Sequence, residues 1–294
     1  MKTILLASFV VTALTGCGGE IADPNEASTE EGFDDGSGPL RGHEDITRFG
    51  IGFANSMLAA ETGTATFFTP IPYGQACDGS QGILLAGNCA TDTPDATMKS
   101  YYGSYSYLAW QTAPTLQELH FLRNYVGSTG VEGAKLACTD ELARIITIAN
   151  LAVTHWKSGD RAGYDYWVGH AMHAVQDSFS AAHTSRSGTL LRNISDLCSY
   201  GRQVKNVCYH QLFDTRDRVW NSSWSCQLDP SNRSWGCLTP QAQSAAYATA
   251  GFLRVMAHHV HSDPNGDLAA ALNTWFSGGA VDAYSDYFHC ENLR

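Results

Sequence analysis

The sequence predicts an all-α fold, a single multi-helix domain with long loops pinned by disulfides. Two observations carry that prediction. Apolar residues recur at helical spacing in one segment after another, and no stretch sustains the period-two alternation of a half-buried strand. A third bounds it: about 250 residues follow the N-terminal region, enough for one domain with a substantial core, and no internal repeat divides them.

At the start, Met1 to Gly16 places Lys2 ahead of the apolar stretch ILLASFVVTAL, too short to span a bilayer as a mature helix, so residues 1–16 read as a secretory signal. Leu14-Thr15-Gly16-Cys17 then reads as a bacterial lipobox, with Cys17 lipidated after cleavage; the alternative is an ordinary signal followed by a chance cysteine. On the lipobox reading the protein is lipid-anchored at the bacterial cell envelope. Residues 17–42 carry seven acids (Glu20, Asp23, Glu26, Glu30, Glu31, Asp34, Asp35) against Arg41, with almost nothing apolar, and read as a flexible acidic tether. Residues 43–294 form the domain.

Within it, Glu44 to Glu61 sets Ile46, Phe49, Phe53 and Leu58 at helical spacing behind two first-turn acids, so a helix carries His43 at its N-terminal end. Thr62 to Ala113 is rich in Gly, Pro, Thr and Tyr without a sustained period. It reads as a long loop region with one helix near Ser104 to Gln111. From Thr115 the helical period returns through Leu116, Leu119, His120 and Tyr125. Thr139 to Trp156 is apolar nearly all round and reads as a central buried helix. Asp160 to Phe179 follows, then helices near Val207 to Trp220, Pro240 to His259 and Asp267 to Phe276; Thr239 caps the second of these, with Pro240 in its first turn.

The chain has 18 Lys and Arg against 29 Asp and Glu, a net charge of −11, and loss of the signal removes one lysine and no acid. That balance argues against a general nucleic-acid binder and against double-stranded nucleic acid as partner, although bound divalent ions would return positive charge locally. Beyond Cys17 there are eight cysteines, an even count that implies four disulfides in an exported chain. Local spacing suggests Cys77 with Cys89, Cys198 with Cys208 and Cys226 with Cys237, leaving Cys138 with Cys290.

The chemistry concentrates in Gly169 to Arg186, GHAMHAVQDSFSAAHTSR. His173 and Asp177 are four apart, so on a helix both point from one face toward a single ion. His183 comes six later, about 240° round an unbroken helix, so it either serves a second ion or lies beyond the helix end. His210 and Asp214, in YHQLFDTRD, repeat the four-residue spacing. These nitrogen and oxygen donors suit zinc.

His173-x-x-x-Asp177-x-x-x-x-x-His183 followed by His210-x-x-x-Asp214 resembles the zinc-dependent phospholipase C family, whose relatives include the fungal single-strand nucleases. The family pattern has further members upstream, met here by Gly42-His43, Asp92 in GNCATD and Leu119-His120-Phe121, with Asp95 a competitor to Asp92. The resemblance covers roughly His43 to Asp214. It implies an all-α fold of that type with two or three Zn2+ ions: Asp92, His120, His173 and Asp177 around one, His183, His210 and Asp214 around a second, and His43 with Asp177 at a third. It also implies that Asp92 orients or deprotonates the attacking water. Two departures stand out. The family completes its third ion with the amino group and carbonyl of an N-terminal Trp, whereas the first Trp here is Trp110, so either a cut near Glu30 to Gly38 exposes another residue's N-terminus, or Glu44 or Asp45 contributes, or the site holds two ions. Asp214 stands where the phospholipases usually have Glu, which resembles the nuclease branch.

The reading that follows is a monomeric phospholipase C acting on phospholipid at a membrane surface, with a zinc-dependent single-strand nuclease and a non-catalytic zinc-binding surface lipoprotein as alternatives. His170 is a ligand, a second donor or a core residue, and His258 to Asp263 reads as a solvated helix end. Tyr101, Tyr102, Tyr105 and Tyr107 are either a platform for a headgroup or base, or packing.

Overall fold

A computed structural model describes residues 42–63, 66–72, 82–105, 110, 113–123, 130–180, 183–187, 190–195, 219, 234–278 and 288–293. The signal, Cys17, the tether, and His210 and Asp214 with nearly all of the helix expected around them lie outside these residues. The described chain is mostly helical: α1 (Gly42–Thr62), α2 (Ile83–Cys89), α3 (Ala96–Tyr102), α4 (Gly130–Lys157), α5 (Arg161–Asp177), α6 (Pro240–Ser262) and α7 (Leu268–Phe276), with a short 3-10 turn at Pro114–His120. None of the described helices is long and apolar enough to cross a membrane.

The capping residues explain several boundaries. Asp160 accepts from the Gly163 amide at the start of α5, Thr239 from Ala242 at the start of α6, and Asp267 from Ala270 at the start of α7. Each satisfies a first-turn N–H that has no partner within its helix.

Three expectations need correction. The central helix is α5 rather than α4: from Tyr166 to Asp177 every α5 residue is buried, while α4 exposes one side. On that side Thr147, Asn150 and Thr154 turn their polar groups back onto the carbonyls one turn earlier, and Leu136 is 54% exposed. The region read as loop contains α2 and α3; of the helix expected near Ser104 to Gln111, Ser104 and Tyr105 are not helical, Trp110 is, and the rest lies outside the described residues. Seven-residue helices are too short to declare a period. Finally, Thr184–Ser187 and Leu190–Ile194 form an antiparallel hairpin, β1 and β2 (Thr184 opposite Ile194), where no strand was expected. Its four- and five-residue strands also fall below the length at which alternation is legible.

α5 packs against α2 on one side and α4 on another, with α6 and the 3-10 turn closing round it, and α1 lies along α6. The α2–α5 crossing is tight enough to need glycine. A Cβ on Gly87 would lie 1.9 Å from the Tyr166 carbonyl oxygen, and one on Gly169 would lie 1.9 Å from that of Leu84. Cys138 in α4 is bonded to Cys290, the pairing left over by local spacing; Cys89 and Cys237 are also disulfide-bonded, and each of the other three expected pairs includes a residue outside those described.

Candidate metal centre

Five segments deliver the site. α1 presents His43 from its first turn, and the last turn of α5 presents His173 and Asp177. α5 stops there. Ser178 is its C-cap, and Arg186 Nε and Thr184 Oγ1 both donate to the Ser178 carbonyl, folding the chain back so that His183 stands at the mouth of the hairpin. The Ser195 amide donates to the His183 carbonyl, and Arg123 N donates to Ser195 O, which ties that hairpin to the segment after His120. His120 ends the 3-10 turn, and Phe121 beyond it adopts a left-handed φ of 50° while fully buried. Asp92 follows α2 in a turn closed by its own amide on the Cys89 carbonyl. Its neighbour Thr91 is held from two sides, by Trp110 Nε1 on its carbonyl (2.7 Å) and His170 Nδ1 on its hydroxyl (2.7 Å).

These residues converge on one carboxylate. Asp177 Oδ1 lies 3.0 Å from His43 Nε2, while Oδ2 lies 3.1 Å from His173 Nε2, 3.4 Å from His120 Nδ1 and 3.5 Å from His183 Nδ1. Asp92 Oδ1 sits on the other side, 3.3 Å from His173 Nε2 and 3.5 Å from His120 Nδ1. The His43 and His173 rings stack with centroids 4.1 Å apart, and His120 meets His173 edge-on. All four imidazoles and Asp177 are fully buried; the Asp92 side chain alone keeps 7% exposure.

The spacing is informative. A charge-assisted N–H···O bond runs at about 2.7–2.9 Å, and most of these contacts are longer. Two donors each about 2.1 Å from a shared tetrahedral ion would stand about 3.4 Å apart, which is the separation seen here. In two overlapping groups, His43 with Asp92 and His173, and His120 with His173 and Asp177, each residue offers one donor atom within 4.8 Å of those of the other two. The buried His and Asp clusters can hold a metal ion.

Electrostatics agree with that crowding. Burial alone would raise Asp177, but His173, His183 and His43 outweigh it and hold its carboxyl well below the usual range. Burial alone would depress His173, yet Asp177 and Asp92 raise it well above an ordinary imidazole. His120 goes the other way, because its burial outweighs the attraction of Asp177 and Asp92.

Of the eight residues expected to bind metal, the structure gathers His43, Asp92, His120, His173, Asp177 and His183; His210 and Asp214 lie outside the described residues. Of the two aspartates, Asp92 lies in the imidazole cluster and Asp95 does not. Asp95 caps α3, accepting from Met98 N (2.9 Å) and Tyr166 OH (2.7 Å). His170 spends Nδ1 on Thr91 and Nε2 on Tyr102 OH (2.9 Å), so it buttresses the Asp92 turn from the core. Tyr102 therefore belongs to packing, as does Tyr105 against Trp110, while Tyr101 is half-exposed over Trp167. In the HHVHSD run His258 and His261 are at the surface, but His259 is buried.

Two residues escaped the sequence reading. Gln176 is fully buried and meets His43 Nδ1 at 2.6 Å. Glu141, on α4, is fully buried, and among the described residues none hydrogen-bonds to either of its carboxyl oxygens. Its burial, with Glu118 and Asp177 adding repulsion, holds its pKa well above the usual carboxylate value. A buried acid inside a helix with apolar neighbours was the signal available. Compared with known proteins, the chain matches no family model, no curated protein and no solved structure.

Proposed function

We propose that the cluster around Asp177 holds zinc and that the protein is a zinc-dependent phosphodiesterase of the phospholipase C type, cleaving phospholipid to diacylglycerol and a phosphorylated headgroup. One observation carries the reading: four imidazoles and two carboxylates from five separate segments meet in one buried cluster at metal-ligand spacing. Bound divalent ions would offset the charge of a phosphodiester and make a water acidic enough to ionise near neutral pH. The rest is the chain's own work. Asp177, facing imidazoles on both oxygens, would fix the donor set, and His43, His120, His173 and His183 would hold it from four directions. Asp92, whose side chain alone among the six described donors keeps some exposure, would meet the substrate side and orient or deprotonate the attacking water. His210 and Asp214 would complete the set.

Phospholipid is favoured over nucleic acid by the acidic balance and by the lipobox at Cys17, which would keep the enzyme at a membrane. The observation that favours the nuclease reading is Asp214 in place of Glu. The test is to assay the purified protein for phosphocholine release from phosphatidylcholine vesicles and for digestion of single-stranded DNA, each with and without chelator, beside elemental analysis. Chelator-sensitive headgroup release with two or three zinc ions per chain is the expected result. Zinc with neither activity would return the protein to a structural lipoprotein, and no zinc would end the hydrolase reading.

A further inference from the structure

We propose that Gln176 is a positioning residue for His43: its amide oxygen accepts the Nδ1 proton of that imidazole and so keeps Nε2 as the lone-pair nitrogen turned toward Asp177 and a bound cation. The proposal rests on the metal reading above and adds to it the residue that sets one donor's tautomer.

Gln176 precedes Asp177 in α5, so the two side chains leave the helix about 100° apart. Asp177 looks into the imidazole cluster, and Gln176 looks toward α1, α2 and α6 behind it. There every hydrogen-bonding atom of the amide is engaged. Oε1 accepts from His43 Nδ1 (2.6 Å) and Asn88 Nδ2 (3.2 Å), and Nε2 donates to Thr47 Oγ1 (2.9 Å) and Thr249 Oγ1 (3.2 Å). The amide thus turns its oxygen to the His43 ring and the Asn88 amide, and its –NH2 group to the two threonine hydroxyls.

A neutral imidazole has one proton. With that proton on Nδ1, Nε2 faces Asp177 Oδ1 at 3.0 Å as a second acceptor, an arrangement that a cation between or beside them stabilises. Metal-binding histidines usually give their other ring N–H to a carboxylate or carbonyl, which fixes ring and tautomer together. An amide oxygen supplies the same acceptor here, and because all of its partners are buried, His43 has no solvent to turn to.

The test uses zinc as probe. Gln176→Met keeps volume without an acceptor, and Gln176→Glu keeps the acceptor. In the folded, zinc-loaded protein the His43 imidazole, identified by loss of its signals in His43→Ala, is expected to show the Nδ1–H tautomer by nitrogen-15 spectroscopy. Gln176→Met is expected to lose that signature and to bind zinc about 10- to 100-fold more weakly at one site in competition with a chelating indicator. Gln176→Glu is expected to retain both. Should Gln176→Met not fold, the Thr47→Val, Thr249→Val pair, which frees the amide to rotate, is expected to move both readouts the same way. A wild-type His43 protonated on Nε2, or zinc affinity unchanged in Gln176→Met, overturns the proposal alone. A wild type that takes up no zinc overturns the metal reading and the proposal with it.

Discussion

Histidine meets carboxylate in two very different places. At the outer ends of α1 and α6, Glu61 accepts from His258 Nε2 at 2.6 Å and Arg254 Nε at 2.9 Å, on a surface where all three side chains keep some exposure. Burial is the largest single influence on Glu61 and opposes its ionisation, but the bonds and charges of Arg254 and His258 together outweigh it and hold its carboxyl below the usual value. Around Asp177, one carboxylate instead serves four imidazoles at 3.0–3.5 Å in a site closed to solvent. The surface group satisfies itself with short bonds, whereas the buried one stands at longer spacings that can accommodate a cation. Residue type is shared by the two, so arrangement and burial make the difference.

The largest effect that should sharpen this contrast is at its centre. Asp177→Ala and His173→Ala are each expected to cut phosphodiester hydrolysis by more than about 100-fold, beyond what losing an outer partner does, and to lower zinc content by elemental analysis. Full activity in either variant would break the site assignment.

Next in size is the crossing that brings Asp92 to the cluster. Gly169→Ala would drive a methyl group into the Leu84 carbonyl, so α2 and α5 must part. Denaturant unfolding should show a loss of about 1–3 kcal/mol, accompanied by weaker zinc uptake. An unchanged midpoint would mean that the crossing is loose.

Glu141 gives the pH dependence. Its carboxyl is raised on folding, so the native state holds the proton more tightly than the unfolded chain does. The sign follows: above the ordinary carboxylate range its contribution to stability falls as pH rises toward the folded value, and stays lost beyond it. Glu141→Gln cannot ionise. In chelator, its Tm should therefore gain on wild type by a few degrees between about pH 4 and about pH 8. A constant difference across that range would show that Glu141 titrates normally.

The smallest effect belongs to the surface group. His258→Ala is expected to leave hydrolysis unchanged and to cost no more than about 1 kcal/mol in unfolding measurements. A large loss of activity would erase the distinction between the two places.

The sequence by itself determined what depends on neighbours a few residues away. The four-residue spacing of His173 and Asp177 holds as read, as do the helix behind His43, the Thr239 cap and the termination of α5 before His183. Periodicity and capping are local physics, legible wherever a helix is long enough to repeat. The family resemblance pointed to Asp92 and His120, which the fold brings into the cluster, but it left Asp92 and Asp95 as alternatives.

Tertiary structure separates the two: Asp92 enters the imidazole cluster, whereas Asp95 accepts from the Met98 amide and from Tyr166, an α5 residue 71 positions away. It also decided that α5 rather than α4 is central, since an apolar sequence does not say which neighbours will cover it. The bond between Gln176 and His43 spans 133 residues and exists only because α1 docks beside the end of α5. Short elements such as α2, α3 and the hairpin carry too few residues to show a period, and their form comes from what they pack against. Chain-local spacing selects which groups share a face; only the packing of distant faces selects which groups meet in one cluster.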